Sequence, residues 1–264
     1  MEIRLLNSKF TPVAVIDIYT SFIWTDRYYE AGDFELKLPL AYLPAKMAVG
    51  LYITYERSDR AMVIESMQID RTSDDENIVT VTGRSLEVLL DRRVIYEYVY
   101  VKDTLIEDYI KILLDNAVIS PKNDYRKIDT FIFSASGDAD ISAIKVEAQH
   151  QGESLYDVLC EMCKKNHIGW RLRLIDGKLT FSLFNGRDKS AVVIFSEAMN
   201  NIAECQFLQS VKDYRNAALI VGGEDADVGK VYLDVDSDDS GGKAVGINRR
   251  ELAVKSYAKY KTTD

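Results

Sequence analysis

The sequence has few of the residues on which enzymes and disulfide scaffolds depend. Its 264 residues include three cysteines and two histidines. Cys160, Cys163 and Cys205 are too few and too unevenly spaced for a disulfide framework, so we expect reduced thiols. Neither His150 nor His167 has a Gly-x-Ser-x-Gly motif nearby. The sequence therefore predicts no catalytic nucleophile and no enzymatic activity.

Metal ligands are also incomplete. Cys160, Cys163 and His167 could supply three zinc ligands, but a structural site needs four, and His150 would have to come from a strand. Thiols on the buried face of a helix are the preferred interpretation. We predict no metal site here.

An aspartate run near the C-terminus resembles the start of a calcium loop. Asp234, Asp236 and Asp238 alternate, yet Asp239 occupies the position of the required glycine and Val245 that of the terminal glutamate. The pattern is too incomplete to predict a calcium site. We predict no cofactor of any kind.

The sequence has no run of about 18 apolar residues, which argues against a membrane span. Met1–Arg4 leads directly into a strand-like pattern instead of a signal sequence, so we expect a soluble protein folded in a cytoplasm. The net charge of −9 argues against general binding of nucleic acid. A hydrophobic content of 47% is enough for well-packed cores.

The first 84 residues have the pattern of short strands separated by turns. The predicted strands are Glu2–Leu6, Val13–Ile18, Phe34–Leu38, Leu51–Tyr55, Met62–Arg71 and Ile78–Gly83. Spacings near ten residues favour a small antiparallel barrel or sandwich. We therefore predict a first β-barrel domain over 1–84, with completion by later strands left open.

A helical and mixed segment is expected over 85–129. It contains a short helix at Ser85–Leu90, with Ser85 as its N-cap, and a longer one at Asp103–Asn116, capped by Asp103. A β-α-β-β domain over 130–190 follows. Its predicted elements are the strands Thr130–Ser134 and Ile144–Glu147, the helix Ser154–Asn166, and the hairpin strands Trp170–Ile175 and Lys178–Phe184 joined by Asp176-Gly177.

The last third returns to strands and is expected to form a second β-barrel domain over 191–264. The candidates are Ala191–Phe195, Ile202–Ser210, Ala217–Gly222, Lys230–Val235 and Val245–Arg249. The fold class predicted for the whole chain is β-rich α+β, with two small antiparallel β-barrel domains and inserted α/β domains.

Aromatic residues cluster in two places. Trp24 and Tyr28 flank Arg27 and form either a contact platform or packing beneath a neighbouring barrel, and packing is the preferred interpretation. Tyr96, Tyr98 and Tyr100 alternate along the chain, so they either present a platform for glycans or cover a core.

Three runs of the sequence resemble siphophage tail hub proteins of the Gp37-like family. These runs are Trp24-x-x-Arg27-Tyr28-x-x-Ala31-Gly32-Asp33-Phe34-Glu35-Leu36, then Val79-Thr80-Val81-Thr82-Gly83-Arg84-Ser85-Leu86-Glu87-x-Leu89-Leu90-x-Arg92-Arg93, and Gly246-Ile247-Asn248-Arg249-Arg250-Glu251. The family is related to the N-terminal hub region of tail-associated proteins and to the baseplate hubs of contractile tails. The resemblance spans nearly the whole chain and implies a baseplate-hub-like fold.

The resemblance implies a trimeric ring at the distal end of the tail tube, which links the tube to the tail tip or baseplate. The expected partners are the tube or distal tail protein, tip or fibre proteins, and two further copies of the chain, with no membrane and no specific nucleic acid. The protein would be assembled in the host cytoplasm and reside in the virion tail. The candidate interface residues are Trp24, Arg27, Tyr28, Arg84, Arg92, Arg93, Arg249 and Arg250.

Two other functions are left open by the sequence. One is a carbohydrate- or receptor-binding tail module that uses the exposed tyrosines. The other is a tail-associated cell-wall hydrolase or peptidase, for which the sequence offers no nucleophile and no complete ligand set.

Overall fold

The structure, a computed structural model, describes residues 2–56, 58–70, 77–202, 206–221, 232–236 and 246–255. The chain divides into two compact units, Met1–Lys189 and Ser190–Asp264. Strands predominate, and helices pack against them in the first unit, so the β-rich α+β prediction is confirmed. The four predicted domain boundaries remain predictions.

The first unit opens with a seven-stranded antiparallel sheet. Its strands are β1 (Ile3–Leu6), β2 (Pro12–Ile16), β3 (Ser21–Thr25), β4 (Asp33–Pro39), β5 (Tyr52–Tyr55), β6 (Met62–Asp70) and β7 (Ile78–Ser85). They are ordered β2-β1-β5-β6-β7-β4-β3. Among the described residues, the edge strands β2 and β3 each pair on one side only. The described residues therefore show an open seven-stranded sheet and no closed barrel.

Alternation along β4 shows how this sheet forms its core. Phe34, Leu36 and Leu38 are buried, whereas Glu35 and Lys37 point away from the core and pair with each other at 2.9 Å. A strand with one buried face produces this period of two. The side chains from β1, β5, β6 and β7 that join them form the first hydrophobic core.

Strand β3 was not predicted. Phe22 and Trp24 are half-buried, but Ile23 between them is exposed, so an apolar residue occupies the solvent side of the strand. This hides the apolar–polar alternation by which strands are recognised. Its pairing with β4, from Ser21↔Lys37 to Thr25↔Asp33, is a tertiary feature.

The rest of the first unit combines helices with two smaller sheets. The elements are β8 (Val99–Leu105), α1 (Ile106–Leu114), β9 (Phe131–Ser134), α2 (Ala139–Ser142), β10 (Lys145–His150), α3 (Leu155–Lys165), β11 (Gly169–Ile175) and β12 (Lys178–Phe184). Strand β10 pairs with β8, and β12 lies between β11 and a parallel β9. These elements pack on the other face of the first sheet and form a second core that includes Tyr109, Trp170 and Phe181.

Two predicted helix starts are wrong. Asp103 does not cap α1; it lies within β8 with a φ of +51° and pairs with Lys145 at 3.0 Å, and α1 begins at Ile106. Ser85 precedes a 3₁₀ turn at Leu86–Leu90, not an α-helix, and makes no side-chain cap. Its hydroxyl instead accepts the Gly32 N–H at 2.8 Å. In both cases a tertiary contact takes the polar side chain that could have capped a helix.

The hairpin prediction is confirmed. Asp176 and Gly177 have φ values of +50° and +73°, as a two-residue hairpin turn with both central residues left-handed requires. The turn sets the register of β11 and β12, in which Ile175 pairs with Lys178 and each earlier residue pairs one step further along. Helix α3 starts where the apolar spacing indicates, because the Ser154 hydroxyl accepts the N–H of Asp157 at 3.3 Å.

Glu87 is a buried carboxyl between the first sheet and β11. One of its carboxylate oxygens accepts the Leu172 N–H at 2.8 Å. Burial, which disfavours the charged form, raises the pKa of Glu87 above its ordinary value, and hydrogen bonds from Ser85 and Leu172 oppose that change. Ionisation of this group therefore costs more in the folded protein than in the unfolded chain.

Glu87→Gln is expected to raise the melting temperature more at pH 7 than at pH 4. The folded pKa lies above the unfolded value of about 4.3, so the wild type loses stability as pH rises from that value through the folded pKa. Glutamine keeps the oxygen that accepts from Leu172 and cannot ionise. Calorimetry at both pH values checks the prediction, and a melting-temperature difference between variant and wild type that is equal at pH 4 and pH 7 would contradict it.

The second unit contains a three-stranded sheet among its described residues. Strand β13 (Ala217–Val221) pairs antiparallel with β14 (Tyr232–Asp236) and parallel with β15 (Glu251–Lys255). The first two correspond to predicted strands, whose ends at Gly222 and at Lys230 and Val231 lie outside the described residues.

The other strand predictions in this unit are not confirmed. Ala191–Phe195 is not a strand, and neither are the described residues of Ile202–Ser210. Val193 and Phe195 are exposed, so β-branched and aromatic composition alone does not produce a strand without a partner. Val245 of the Val245–Arg249 prediction lies outside the described residues; Gly246–Asn248 form a 3₁₀ turn, and strand β15 begins at Glu251.

Within the described ranges, no helix is both long enough and apolar enough to cross a bilayer.

Candidate interface

The turn between β3 and β4 carries the first predicted interface residues. Arg27 donates to the Ala31 carbonyl oxygen at 3.0 Å and pairs with Asp33 at 2.5 Å. A Cβ added to Gly32 would lie 2.0 Å from the Thr25 carbonyl oxygen, so the chain passes too close to β3 for a side chain. Arg27 therefore stabilises its own turn, and Gly32 permits that turn to form.

Trp24 packs beside the first core. Its ring centroid lies 5.1 Å from that of Tyr55, 5.9 Å from that of Phe22 and 6.5 Å from that of Phe34, all within the usual range for aromatic pairs. Its indole N–H donates to Asp26 at 3.3 Å. The side chain thus packs within the chain, and its role at an interface remains a prediction.

Tyr28 connects the β3–β4 turn to the β11–β12 hairpin. Its hydroxyl accepts the Gly186 N–H at 2.7 Å and lies 3.3 Å from the His167 carbonyl oxygen, to which it donates. The neighbouring Tyr29 carbonyl accepts the Trp170 indole N–H at 2.8 Å. These contacts hold the turn against the hairpin, so Tyr28 also has a structural role.

Arg84 is paired across strands β6 and β7. Its guanidinium donates two hydrogen bonds to Glu65, at 2.8 and 2.9 Å. This hydrogen bonding raises the pKa of Arg84 above its ordinary value, although partial burial opposes it. The arginine is therefore neutralised within the chain.

Arg92 and Arg93 lie at a surface that is rich in tyrosine. We call Arg92, Tyr96, Tyr98, Tyr125 and Arg126 the tyrosine–arginine surface. The Arg126 guanidinium lies 3.7 Å from the Tyr96 ring centroid, a cation–π contact. Tyr125 is 98% exposed and Tyr98 is 57% exposed. Such a combination is typical of protein interfaces, where tyrosine and arginine are enriched.

The arginines of this region have no acidic partner among the described residues. Arg93 donates only to carbonyl oxygens, those of Arg92 and Arg126 at 3.0 and 3.2 Å, and its Nε is buried without a partner. Burial lowers the pKa of Arg93, and the charges of Arg126 and Arg92 lower it further. Three guanidinium groups therefore repel one another at this surface.

The alternating tyrosines face solvent. Tyr96, Tyr98 and Tyr100 are 61%, 57% and 49% exposed, whereas Ile95 before them and Val99 between Tyr98 and Tyr100 are buried. Of the two interpretations of their spacing, the core-covering one is therefore wrong. Tyr100 additionally donates to Glu147 on β10 at 3.1 Å.

Arg249 and Arg250 lie in the second unit. Arg249 pairs with Glu251 at 2.6 Å, and the Arg250 guanidinium donates to the Val211 carbonyl oxygen. The Arg250 N–H donates to the Asn216 amide oxygen at 2.8 Å. Both arginines thus make contacts within their own unit, and their interface role stays a prediction.

The cysteines on α3 behave as core thiols. Cys163 is fully buried and Cys160 half-buried. Burial raises the pKa of the Cys160 thiol to about 11 and also raises that of Cys163, so neither is a thiolate at neutral pH. No group of metal-ligating side chains occurs in the part of the chain that the structure describes. Cys205 lies outside it.

The calcium-like run is only partly described. Asp234 and Asp236 lie on β14, which pairs with β13 and is therefore strand rather than loop up to Asp236. Asp238, Asp239 and Val245 fall outside the described residues.

Sequence reasoning missed two members of the tyrosine–arginine surface. Tyr125 and Arg126 follow Arg92 by more than thirty positions, and the fold brings them together through hydrogen bonds from Arg126 to the Val94 carbonyl and from Arg93 to the Arg126 carbonyl. No local pattern marks such a contact. The only signal was the presence of a tyrosine next to an arginine in a polar connection.

Solved structures with a similar fold include prophage tail proteins and a PdpA–VgrG complex. Prophage tail protein gp18 from Listeria monocytogenes EGD-e is 10% identical with a TM-score of 0.55, over 97% of this chain and 72% of that one. The 43 kDa tail protein of prophage MuSo2 from Shewanella oneidensis is 13% identical with a TM-score of 0.57, and the match covers 97% of this chain and 73% of that one. A chain of a Francisella PdpA–VgrG complex is 11% identical with a TM-score of 0.51, and the match covers 100% of this chain and 41% of that one. At these identities the likeness shows the fold.

A match to a family model shows which protein family the chain belongs to. No curated protein matches the sequence. The model of the Siphovirus ReqiPepy6 Gp37-like protein family matches residues 2–252. The match includes all three sequence runs that resemble tail hubs up to Glu251. The chain therefore belongs to the Siphovirus ReqiPepy6 Gp37-like family and is a phage tail structural protein of the Gp37 and baseplate-hub type.

Proposed function

We propose that this protein is a hub at the distal end of a phage or prophage tail tube, where three copies form a ring that joins the tube to the tail tip or baseplate. The observation that carries the proposal is the family match across residues 2–252. One structure of the same fold is a PdpA–VgrG complex, in which that protein is assembled with a partner. We extend this property, assembly with other proteins, to the present chain.

The chemistry proposed for the hub is association, without catalysis or a cofactor. Its partners are the tube or distal tail protein, tip or fibre proteins, and two identical copies, in a virion tail assembled in the host cytoplasm. The tyrosine–arginine surface supports this role because it presents exposed tyrosines together with arginines that have no carboxylate partner among the described residues. Burying tyrosine and arginine contributes strongly to many protein interfaces.

The structure changes which residues should be tested first. Trp24, Arg27, Tyr28 and Arg84 are all engaged in contacts within the chain, so their substitution would disturb folding as well as assembly. Arg92 is exposed and has no carboxylate partner among the described residues. It therefore separates an effect on assembly from an effect on folding.

Arg92→Glu is expected to reduce incorporation of the protein into reconstituted tails by about tenfold or more, since a reversed charge at an interface costs at least about 1.4 kcal/mol. Lys46→Glu is the matched control, because Lys46 is also exposed and undergoes the same charge change. Quantitative immunoblotting of purified tails measures incorporation, and circular dichroism confirms that both variants fold. Equal incorporation of the two variants would exclude this surface as an interface.

Cryo-electron microscopy of the assembled particle tests the proposal as a whole. We expect a threefold ring at the end of the tube into which this chain can be traced. The assembled particle is the right sample, since a hub can remain monomeric until a partner nucleates the ring. A peripheral position, or absence from the tail, would contradict the proposal.

The exposed tyrosines favour a second candidate, a carbohydrate- or receptor-binding tail module. Tyr96, Tyr98 and Tyr100 face solvent from the same stretch of chain, and aromatic rings can serve as binding platforms. Binding of the isolated chain to host glycans, lost in Tyr98→Ala, would support this function. Binding to tube protein, lost in the same variant, would support the hub.

A further inference from the structure

Four buried polar atoms without hydrogen-bond partners lie together on one face of the β11–β12 hairpin. They are the Nε atoms of Arg171 and Arg173 and the hydroxyl oxygens of Thr180 and Ser182. The strand register pairs Arg171 with Ser182 and Arg173 with Thr180, so the four side chains form two adjacent cross-strand pairs. Buried polar groups normally have partners, so a cluster of four requires an explanation.

The two hydroxyls are more than nine-tenths buried. Thr180 and Ser182 are each 5% exposed. Arg173 already binds one carboxylate, since its terminal nitrogen lies 3.0 Å from an oxygen of Asp59, which leaves its Nε edge free. Arg171 lies over the Phe184 ring at 4.6 Å and has no carboxylate partner in the described part of the chain.

The charge of this face is only partly compensated, because Asp59 pairs with Arg173 and no described carboxylate pairs with Arg171. Burial lowers the pKa of Arg171, and the neighbouring charges of Arg173 and Arg60 lower it further, whereas the charges of Asp59 and Glu87 oppose this change. An anion placed beside Arg171 would relieve this repulsion and supply the missing acceptors. The Ser182 hydroxyl can donate to the same anion.

A polar pocket of about 640 Å³ opens over this face. Ser182, Arg171 and Arg173 line it, together with Arg187 and Lys189 from the segment after β12. The Tyr28 hydroxyl holds that segment through its contact with the Gly186 N–H. Four cationic side chains thus converge on one pocket.

One acidic residue also borders the pocket. Asp138 lines it, but one of its carboxylate oxygens accepts the N–H groups of Asp140 and Ile141 at the start of α2. Arg187 and Lys189 have no ion pair with any carboxylate in the described residues. The pocket therefore keeps a net positive charge within a chain whose total charge is −9.

We propose that this pocket, which we call the β11–β12 pocket, binds a carboxylate group through Arg171, Arg187 and Ser182. The Arg173–Asp59 pair shows that a carboxylate fits against a guanidinium on this face. The net charge of the chain disfavours a polyanion such as nucleic acid, whose approach depends on long-range attraction. A carboxylate brings a single charge and matches the planar guanidinium edge.

The carboxylate can come from an acidic peptide segment or from a free dicarboxylate, and calorimetry on the full-length chain at low salt distinguishes the two sources. The probes are a glycine-rich hexapeptide with blocked termini and one glutamate, the same peptide with glutamine in place of glutamate, succinate, and a short single-stranded DNA. The variants are Arg171→Gln and Arg187→Gln, with Lys46→Gln as a control for the loss of one exposed positive charge.

We expect the glutamate peptide to bind the wild type and the Lys46→Gln variant equally, and to bind Arg171→Gln and Arg187→Gln at least about tenfold more weakly. The glutamine peptide should not bind. Binding of succinate but not of the glutamate peptide, with the same dependence on arginine, supports the carboxylate site and identifies a free dicarboxylate as its ligand.

The proposal would be overturned if neither carboxylate probe bound, or if Lys46→Gln lost as much affinity for the probe as the two arginine variants. It would also be overturned if DNA bound through the same arginines more tightly than the peptide. Arg187 lies on an exposed segment outside the strands, so its variant is expected to fold even if Arg171→Gln does not. The Arg187→Gln measurement alone then decides between the outcomes.

Discussion

Gly83→Ala is expected to destabilise the first unit by more than about 4 kcal/mol, which places it among the exceptional single substitutions. A Cβ at this position would lie 1.7 Å from the Val63 carbonyl oxygen and 2.9 Å from a ring carbon of Phe34. Gly83 lies on β7 and pairs with Ile64 on β6 and Phe34 on β4, so the methyl group has backbone on one side and a core ring on the other. The sheet would have to separate at its centre to accommodate it.

Urea denaturation of the full-length chain, followed by circular dichroism, measures this loss. Gly137→Ala is the matched control: Gly137 has a φ of +67°, but no atom lies within 4 Å of its added Cβ. That variant experiences only backbone strain, which costs roughly 1 to 3 kcal/mol. If Gly83→Ala were no less stable than Gly137→Ala, the prediction that β6 approaches β7 too closely for a side chain would be wrong.

The residues that carry the family resemblance mostly form the fold. Arg27 and Gly32 shape the β3–β4 turn, Gly83 permits the central strands to approach, and the Ser85 hydroxyl accepts the Gly32 N–H. Their contacts are internal, so the Trp24–Leu36 run resembles the family through residues that shape the fold. A motif of this kind identifies a fold before it identifies an interface.

The elements found from sequence are those with strong local signals. Strand β4 alternates, α1 places Tyr109, Ile110 and Leu113 on one buried face, and Asp176-Gly177 specifies a two-residue turn. Strands β8 and β15 lack such signals. Paired residues of β8 and β10 are 40 to 51 positions apart and those of β13 and β15 are 34 apart, so local patterns could not reveal these pairings.

The β11–β12 pocket could have been partly found from sequence. A two-residue turn at Asp176-Gly177 pairs Ile175 with Lys178, and the same register places Arg171 opposite Ser182. What sequence could not supply is the segment carrying Arg187, which is held in place by Tyr28 from a turn more than 150 residues earlier. The tyrosine–arginine surface depends on tertiary contacts in the same way.

Trp170→Ala is expected to cost about 3 to 5 kcal/mol of stability, the range for removing a large aromatic side chain from a core. Trp170 is 2% exposed, stacks on Phe181 with centroids 5.7 Å apart and meets the Tyr156 ring edge-on at 5.8 Å. Its N–H donates to the Tyr29 carbonyl oxygen at 2.8 Å. The substitution removes a core ring and releases the β3–β4 turn from the hairpin.

Trp170→Phe separates these two effects. Phenylalanine keeps an aromatic ring but cannot donate a hydrogen bond to the Tyr29 carbonyl. The free energy of unfolding of this variant should therefore fall by about 1 to 3 kcal/mol, because the carbonyl is left unsatisfied and the side chain is smaller. Limited proteolysis of the full-length chain should show faster cleavage after Arg27 in both variants, since both lose the Trp170–Tyr29 hydrogen bond, one of the contacts that hold the turn. Cleavage after Arg27 that is unchanged in Trp170→Phe would mean that Tyr28, through Gly186 and His167, holds the turn without help from Trp170.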